Sequence, residues 1–323
     1  MSICTKWSQS SAKKTRSLAL TTVFALFASA CAGGGSRGSS DTTNQVPLAP
    51  AAAANGISKT CTQVPLSNSN EALDYCFADP AGQGRGSGQS ATIVYYFHGL
   101  GGNAKDLFEG NDKPLLDAIF QVLGSRAPIV ASLSLGPSGV FADDTAELLS
   151  SGLPAIENAI APGKTVRRIL LGGSMGGHNV LRLAAQGGPS LFHAAAALCP
   201  AIATFNGYND AEVASYRARN AAVLDNVLFG QAMTAFKKRI TDAADWTANN
   251  PFTFESQGTY DGLPLFMSVG TEDTLGFLEG SREFVRRASL RPAMNVDYHE
   301  ISGVHCSFDA PPLLRFLTIQ ILN

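Results

Sequence analysis

The feature that most constrains this chain is an alternation of short apolar runs with longer amphipathic ones, sustained from residue 58 to the C-terminus. Residues 91–97 (ATIVYYF) form a continuous apolar run, as a strand buried on both faces requires. Helical spacing follows over 106–123, and 128–135 (PIVASLSL) read as the next strand. The pattern continues with a helix over 144–160, a strand over 167–171, a helix over 176–186 and a strand over 194–199. After a mostly helical stretch, 201–257, it resumes with strands 263–269 and 294–299 and helices 279–290 and 312–322. Strands separated by helices cannot pair as hairpins, so the expected fold is α/β, a mostly parallel central sheet with helices on both faces. Two short β-like stretches near Cys61 and Cys76 come first, which makes 201–257 a helical insertion after the sixth strand. The chain has no internal repeat.

At 323 residues, 45% of them apolar, the chain can bury the core of one large domain. A formal charge of −2 gives no general electrostatic reason to expect a nucleic-acid partner. The N-terminus has its own logic. Lys6, Lys13, Lys14 and Arg16 precede an apolar run, 18–27 (LALTTVFALF), which ends in Ala28-Ser29-Ala30-Cys31. A basic region, a run too short to span a bilayer and a small-residue cleavage site describe a signal peptide over 1–30. The segment resembles a bacterial lipoprotein signal, which implies lipidation at Cys31, although Ala28 stands where that pattern usually has Leu. Ordinary secretion is the alternative. Residues 31–57 are small and polar or Ala/Pro-rich, a composition suited to a flexible tether ahead of a catalytic domain at 58–323. The expected location is outside the cytoplasm. The chain would be lipid-anchored to a bacterial envelope membrane, or otherwise periplasmic or secreted, with no other membrane contact.

Four cysteines lie in the domain, Cys61, Cys76, Cys199 and Cys306, and an exported chain can oxidise them. Four cysteines permit three pairings. Cys61–Cys76 would staple a hairpin, leaving Cys199–Cys306 to pair near the edge of a site; buried free thiols are the alternative for the second pair. No Cys/His spacing suggests zinc.

The pattern Gly-x-Ser-x-Gly occurs twice. Around Ser36 it lies in the tether, with neither strand before it nor helix after it. Around Ser174, in Gly172-Gly-Ser-Met-Gly176, it joins strand 167–171 to helix 176–186. A sharp strand-to-helix turn lifts a serine hydroxyl above the sheet, and small residues on either side let strand and helix approach. Ser174 is therefore the candidate nucleophile. A second glycine-rich loop, His98-Gly-Leu-Gly-Gly-Asn103, follows the first long strand. Its Leu100 N–H and the Met175 N–H are the candidate oxyanion donors.

In this arrangement an acid and then a histidine follow the serine in chain order, on loops after later strands. Gly270-Thr-Glu-Asp273 follows strand 263–269, and Ser302-Gly-Val-His305 follows strand 294–299. Asp273 is preferred to its rival Glu272, while Asp261 precedes its strand. Among the five histidines, His98 precedes the serine, His178 lies on the same helix, His193 starts a strand and His299 lies inside one. His305 remains as the base.

On Tyr96-Phe-His-Gly-Leu-Gly-Gly-Asn103, Gly172-Gly-Ser-Met-Gly-Gly-His178, Gly270-Thr-Glu-Asp-Thr-Leu-Gly-Phe-Leu278 and Gly303-Val-His305, the chain resembles the esterase D-like branch of the α/β-hydrolases. The resemblance spans about residues 58–323. It implies the α/β-hydrolase fold, a Ser174–Asp273–His305 triad, Leu100 and Met175 as oxyanion donors, and hydrolysis of small-molecule or polymer esters through an acyl-enzyme. Gly173 departs from the family, where many relatives carry His or Leu, and the stretch 201–257 matches none closely. The chemistry calls for no cofactor and no metal. Acyl transfer to an alcohol other than water, of the mycolyltransferase kind, uses the same residues. A non-catalytic surface binding module is the reading from another class.

Overall fold

The computed structural model describes residues 58–66, 72–134, 136, 139 and 145–323. The signal peptide, the tether, Ser36 and Cys31 lie outside the described residues. The sheet contains β1 (Thr60–Pro65), β2 (Ala72–Ala78), β3 (Ser90–Phe97), β4 (Ile129–Ser134), β5 (Thr165–Gly173), β6 (Ala194–Leu198), β7 (Pro264–Gly270) and β8 (Asn295–Ile301). Their order across the sheet is β1-β2-β4-β3-β5-β6-β7-β8. The six strands β3 to β8 run parallel to one another, and β2 is antiparallel to both β1 and β4. Cys61 lies opposite Cys76 in the β1–β2 register, and a disulfide joins them.

The central strands are apolar on both sides because both faces are covered. α1 (Lys113–Leu123) and the C-terminal α9 (Ala310–Leu322) pack on one face, with Leu116, Ile119 and Leu317 against Val94, Ile169 and Phe266. On the other face lie α2 (Leu153–Ile160), α3 (Met175–Leu191) and α8 (Phe277–Ala288). There Ile156, Val180 and Phe284 meet Ile93, Leu170 and Met267. Each fully buried side chain of this size contributes about 1.5–3 kcal/mol.

The insertion after β6 is four helices, α4 (Asp210–Arg219), α5 (Asn226–Lys237), α6 (Ala243–Ala248) and α7 (Pro251–Ser256). Each begins on an Asn or Asp whose side chain accepts from the first-turn amides, which otherwise have no intrahelical partner: Asn209, Asp225, Asp242 and Asn250. Phe205, Tyr216, Phe229, Phe236 and Trp246 bury one another there in a third cluster, which also takes in Met175, Leu275 and Phe277.

Three helical stretches depart from the sequence reading most. The helical stretch 106–123 is a single turn, Asp106–Glu109, and then α1, because Gly110 turns extended (φ −105°, ψ −154°) and Pro114 restarts the helix in its first turn. The stretch before α2 opens as Thr145–Glu147 and widens into a π-type turn over Leu148–Gly152, where the Ser150 and Ser151 hydroxyls donate to the Glu147 carbonyl. α3 runs past residue 186, the expected end, and reaches Leu191 through a kink at Gly188 (φ 60°).

Candidate active site

Every candidate residue leaves the sheet at the same edge, the C-terminal ends of the parallel strands. Ser174 follows β5, the 98–103 loop follows β3, Asp273 follows β7 and His305 follows β8. Ser174 has φ 56° and ψ −117°, a conformation that costs a non-glycine residue energy. Its N–H donates to the Leu198 carbonyl (2.9 Å), and its own carbonyl accepts from His178 N–H and Ala201 N–H (both 3.1 Å). The flanking glycines are there for space. A Cβ on Gly176 would stand 1.9 Å from the Phe97 carbonyl oxygen, and one on Gly172 would stand 2.6 Å from the Gly176 carbonyl oxygen.

The Ser174 hydroxyl lies 2.8 Å from His305 Nε2, and His305 Nδ1 lies 2.7 Å from Asp273 Oδ2. A carboxylate can only accept, so Nδ1 carries the proton and Nε2 presents a lone pair to the serine hydroxyl. The Asp273 side chain is fully enclosed. Its other oxygen accepts from Leu275 N–H (2.8 Å) and Phe277 N–H (3.3 Å), which fixes the carboxylate plane. Phe277 also lies edge-on to the His305 ring, 5.6 Å between centroids. Glu272, the rival acid, is exposed and meets the histidine loop through its backbone, where its N–H donates to the Gly303 carbonyl (2.8 Å). Asp261 pairs with Arg291 before β7 begins.

The 98–103 loop lies against Ser174: a Cβ on Gly99 would be 3.6 Å from Ser174 Cβ. His98 shapes this loop from below. Its ring is buried, 2.7 Å from the Gly99 carbonyl and 2.8 Å from the Ser134 hydroxyl, and burial pushes its pKa down. Met175 opens α3, so its N–H has no carbonyl a turn earlier to meet.

The remaining histidines are held elsewhere. His299 Nε2 lies 2.9 Å from Asp297, and His193 precedes β6. His178 is buried and donates through Nδ1 to the Ala201 carbonyl (3.0 Å), while burial lowers its pKa to about 4. Its Nε2 and Asn249 Oδ1 have no hydrogen-bond partner among the described residues, and both residues line a cavity of about 30 Å³ beneath the insertion. A larger open groove, about 1120 Å³, lies between the insertion and α8 and includes Asp273 but neither Ser174 nor His305 in its lining. The insertion's aromatics split the same way. Phe205, Tyr216, Phe229, Phe236 and Trp246 are core, while Tyr208, Phe252 and Phe254 are partly exposed.

A second disulfide, Cys199–Cys306, stands beside His305. It brings two sulfurs and a His305 ring nitrogen within 4.8 Å of one another, a grouping like a soft-metal ligand set. Both sulfurs are spent in the bond, and metal ligation needs thiolates.

Two supports of the site are not visible in residue types. The Leu275 and Phe277 amides hold Asp273, and the Tyr216 hydroxyl donates to the Leu275 carbonyl (2.8 Å). An acidic residue at a strand end that bonds the amide two residues on is an Asx turn, and Asp273-Thr-Leu275 carries that weak signal.

No curated protein sequence matches the chain. Among solved structures, it is similar to an S-formylglutathione hydrolase from Agrobacterium tumefaciens (14% identity, 84% of this chain and 97% of that one, TM-score 0.55). It is also similar to an esterase of Pyrobaculum calidifontis (14% identity, 82% and 84% covered, TM-score 0.56). A fluorophosphonate-binding serine hydrolase of Staphylococcus aureus is a third (12% identity, 83% and 99% covered, TM-score 0.55). At such identities the likeness establishes the fold, which is that of the α/β-hydrolases. A family model described as "Putative esterase" matches residues 131–310, more than half of the chain. The chain belongs to this esterase family, carboxylic-ester hydrolases built on the α/β-hydrolase fold.

Proposed function

We propose that the chain is a serine carboxylic-ester hydrolase of the esterase D-like branch that works through an acyl-enzyme on Ser174. The observation that carries this is the unbroken line from Ser174 Oγ to His305 Nε2 (2.8 Å) and from His305 Nδ1 to Asp273 Oδ2 (2.7 Å). In this reading His305 takes the Ser174 proton as Oγ attacks the ester carbonyl, and Asp273 holds the tautomer and stabilises the imidazolium. The Leu100 and Met175 amides receive the oxyanion, aided by the N-terminus of α3. His305 then protonates the leaving alcohol, and water releases the acid by the same path.

Intact-mass analysis after treatment with a fluorophosphonate probe tests this. One adduct is expected on the folded protein and none on Ser174→Ala; an unlabelled wild type, or a variant that still hydrolyses esters, sinks the proposal. The substrate class proposed is small or medium acyl esters of a wider alcohol or polymer. Rates across p-nitrophenyl esters of increasing chain length, with feruloyl and acetyl-sugar esters alongside, would rank it. Export and lipidation of Cys31 belong to the same reading and rest on residues 6–31. Cys31→Ser should move the protein from the membrane pellet to the soluble fraction, and unchanged partitioning would remove the anchor.

A further inference from the structure

The Cys199–Cys306 disulfide is placed where it can act on catalysis and not only on stability. Cys306 follows His305 directly, and its Sγ lies 3.6 Å from His305 Nε2. Three non-glycine residues have positive φ among the described residues: Ser174 (56°), Cys199 (41°) and Cys306 (55°). One is the nucleophile and the other two are the halves of this disulfide. Such conformations persist where the surroundings over-determine them.

At the Cys199 end the bond is anchored in the sheet. Cys199 follows β6, and its N–H donates to the Ser268 carbonyl of β7 (2.6 Å), the strand that leads to Asp273. At the other end it meets the nucleophile turn: the Cβ position of Gly173 is 4.0 Å from Cys306 Sγ, so a larger side chain there would press on the sulfur. The histidine loop has backbone holds as well: on its outgoing side Ser307 N–H donates to the Val304 carbonyl (3.0 Å), and on its incoming side it is tied to the loop after β7. The Gly303 carbonyl accepts from Glu272 N–H, and a Cβ on Gly270 would stand 2.1 Å from the Val304 carbonyl oxygen. Beyond His305 the chain has no regular element until α9 begins at Ala310.

We propose that the Cys199–Cys306 disulfide is a positioning device for His305, clamping the outgoing side of the histidine loop to the end of β6 so that Nε2 stays aligned on Ser174. This rests on His305 being the base of the proposed hydrolase. A bond that closes a separation of 107 residues also restricts the unfolded chain, and that plain stabilising role predicts a lower melting temperature with unchanged turnover by the folded protein. A positioning role predicts a loss in kcat at temperatures where the protein is fully folded.

The test uses the full chain carrying Cys61→Ala and Cys76→Ala, which leaves one disulfide in the domain. Dithiothreitol reduces it: the S–S bond breaks, each sulfur takes one electron and one proton, and the dithiol closes to its cyclic disulfide. With near-UV circular dichroism unchanged, kcat for a p-nitrophenyl ester should fall about 10–100-fold, the scale of an ångström-sized misplacement, while KM moves far less. Re-oxidation with oxidised glutathione should restore it. Adding Cys199→Ser and Cys306→Ser should lower kcat to the same level and remove the response to reductant. Turnover unchanged on reduction overturns the proposal. So does activity lost only together with the circular-dichroism signal, since the bond would then hold the fold and not the histidine. If the oxidised parent hydrolyses no ester and takes no fluorophosphonate, the functional reading itself falls.

Discussion

Gly176→Ala offers a sharp test of how the nucleophile turn is built. The new methyl carbon would stand 1.9 Å from the Phe97 carbonyl oxygen, 2.5 Å from its carbon and 2.7 Å from the His98 carbonyl oxygen. All three are backbone atoms at the end of β3, so no side chain can rotate away, and the helix must retreat from the strand by about 1 Å to reach the closest contacts real structures show. Overpacking of this kind costs up to about 3 kcal/mol. Alanine returns about 1 kcal/mol through helix propensity, so the net loss should be about 2 kcal/mol. For a domain of this size that lowers the melting temperature by roughly 5 °C. The same retreat separates the Met175 amide from the 98–103 loop, and kcat should fall about 10²-fold even at temperatures well below unfolding. Calorimetry and p-nitrophenyl acetate hydrolysis on the purified variant measure the two effects. A melting temperature within about 1 °C of wild type together with kcat within about twofold would refute the reasoning, because the glycine would then be tolerated for its flexibility and not needed for its missing Cβ.

Removing the Ser174 hydroxyl in Ser174→Ala should lower kcat by about 10⁶-fold, and Asp273→Asn by about 10⁴-fold; the double variant should be no worse than Ser174→Ala alone. His178 gives a pH dependence. Its folded pKa of about 4 is below the ordinary 6.5 because burial disfavours the charged ring, so the unfolded chain binds more protons. That contribution is complete above pH 6.5 and is lost as pH falls toward 4, about 3 kcal/mol in all. Urea titrations of wild type and His178→Gln across this range should show the wild-type slope removed in the variant; parallel curves would contradict the assignment. Trp246 is 6% exposed, and its indole N–H donates to the Phe205 carbonyl (2.9 Å), so Trp246→Ala should cost about 3–5 kcal/mol in the same titration. A loss below about 1 kcal/mol would mean that the insertion's core can collapse around the gap.

Much of this architecture is legible in residue order. The runs before Phe97, Ser174, Gly270 and Ile301 are continuous or alternating apolar strands, and each delivers a loop to the same sheet edge. Context separates Ser174 from Ser36, since the five-residue pattern is the same at both and a strand-to-helix junction surrounds one of them. Asp273 over Glu272 is harder to read, because two adjacent carboxylates differ only in which one the Leu275 and Phe277 amides turn inward. Conformation at single residues is less visible still. Nothing about a cysteine announces the positive φ of Cys199 or Cys306. Helix ends are hard to read where glycines occur: Gly110 stops a helix, while Gly188 only kinks one that runs on to Leu191.

The grip of the insertion on the acid loop bears on how this scaffold can be re-engineered. Asp225 N–H donates to the Thr274 carbonyl, and the Tyr216 hydroxyl donates to the carbonyl of Leu275, the residue whose amide holds Asp273. The inserted segment is thus also a buttress of the Asp273 loop. A chimera that grafts a foreign segment over 201–257 would have to reproduce two donors and an apolar plug against Met175 and Phe277 before any new preference could be seen. Variation confined to the partly exposed Tyr208, Phe252 and Phe254 leaves that buttress in place.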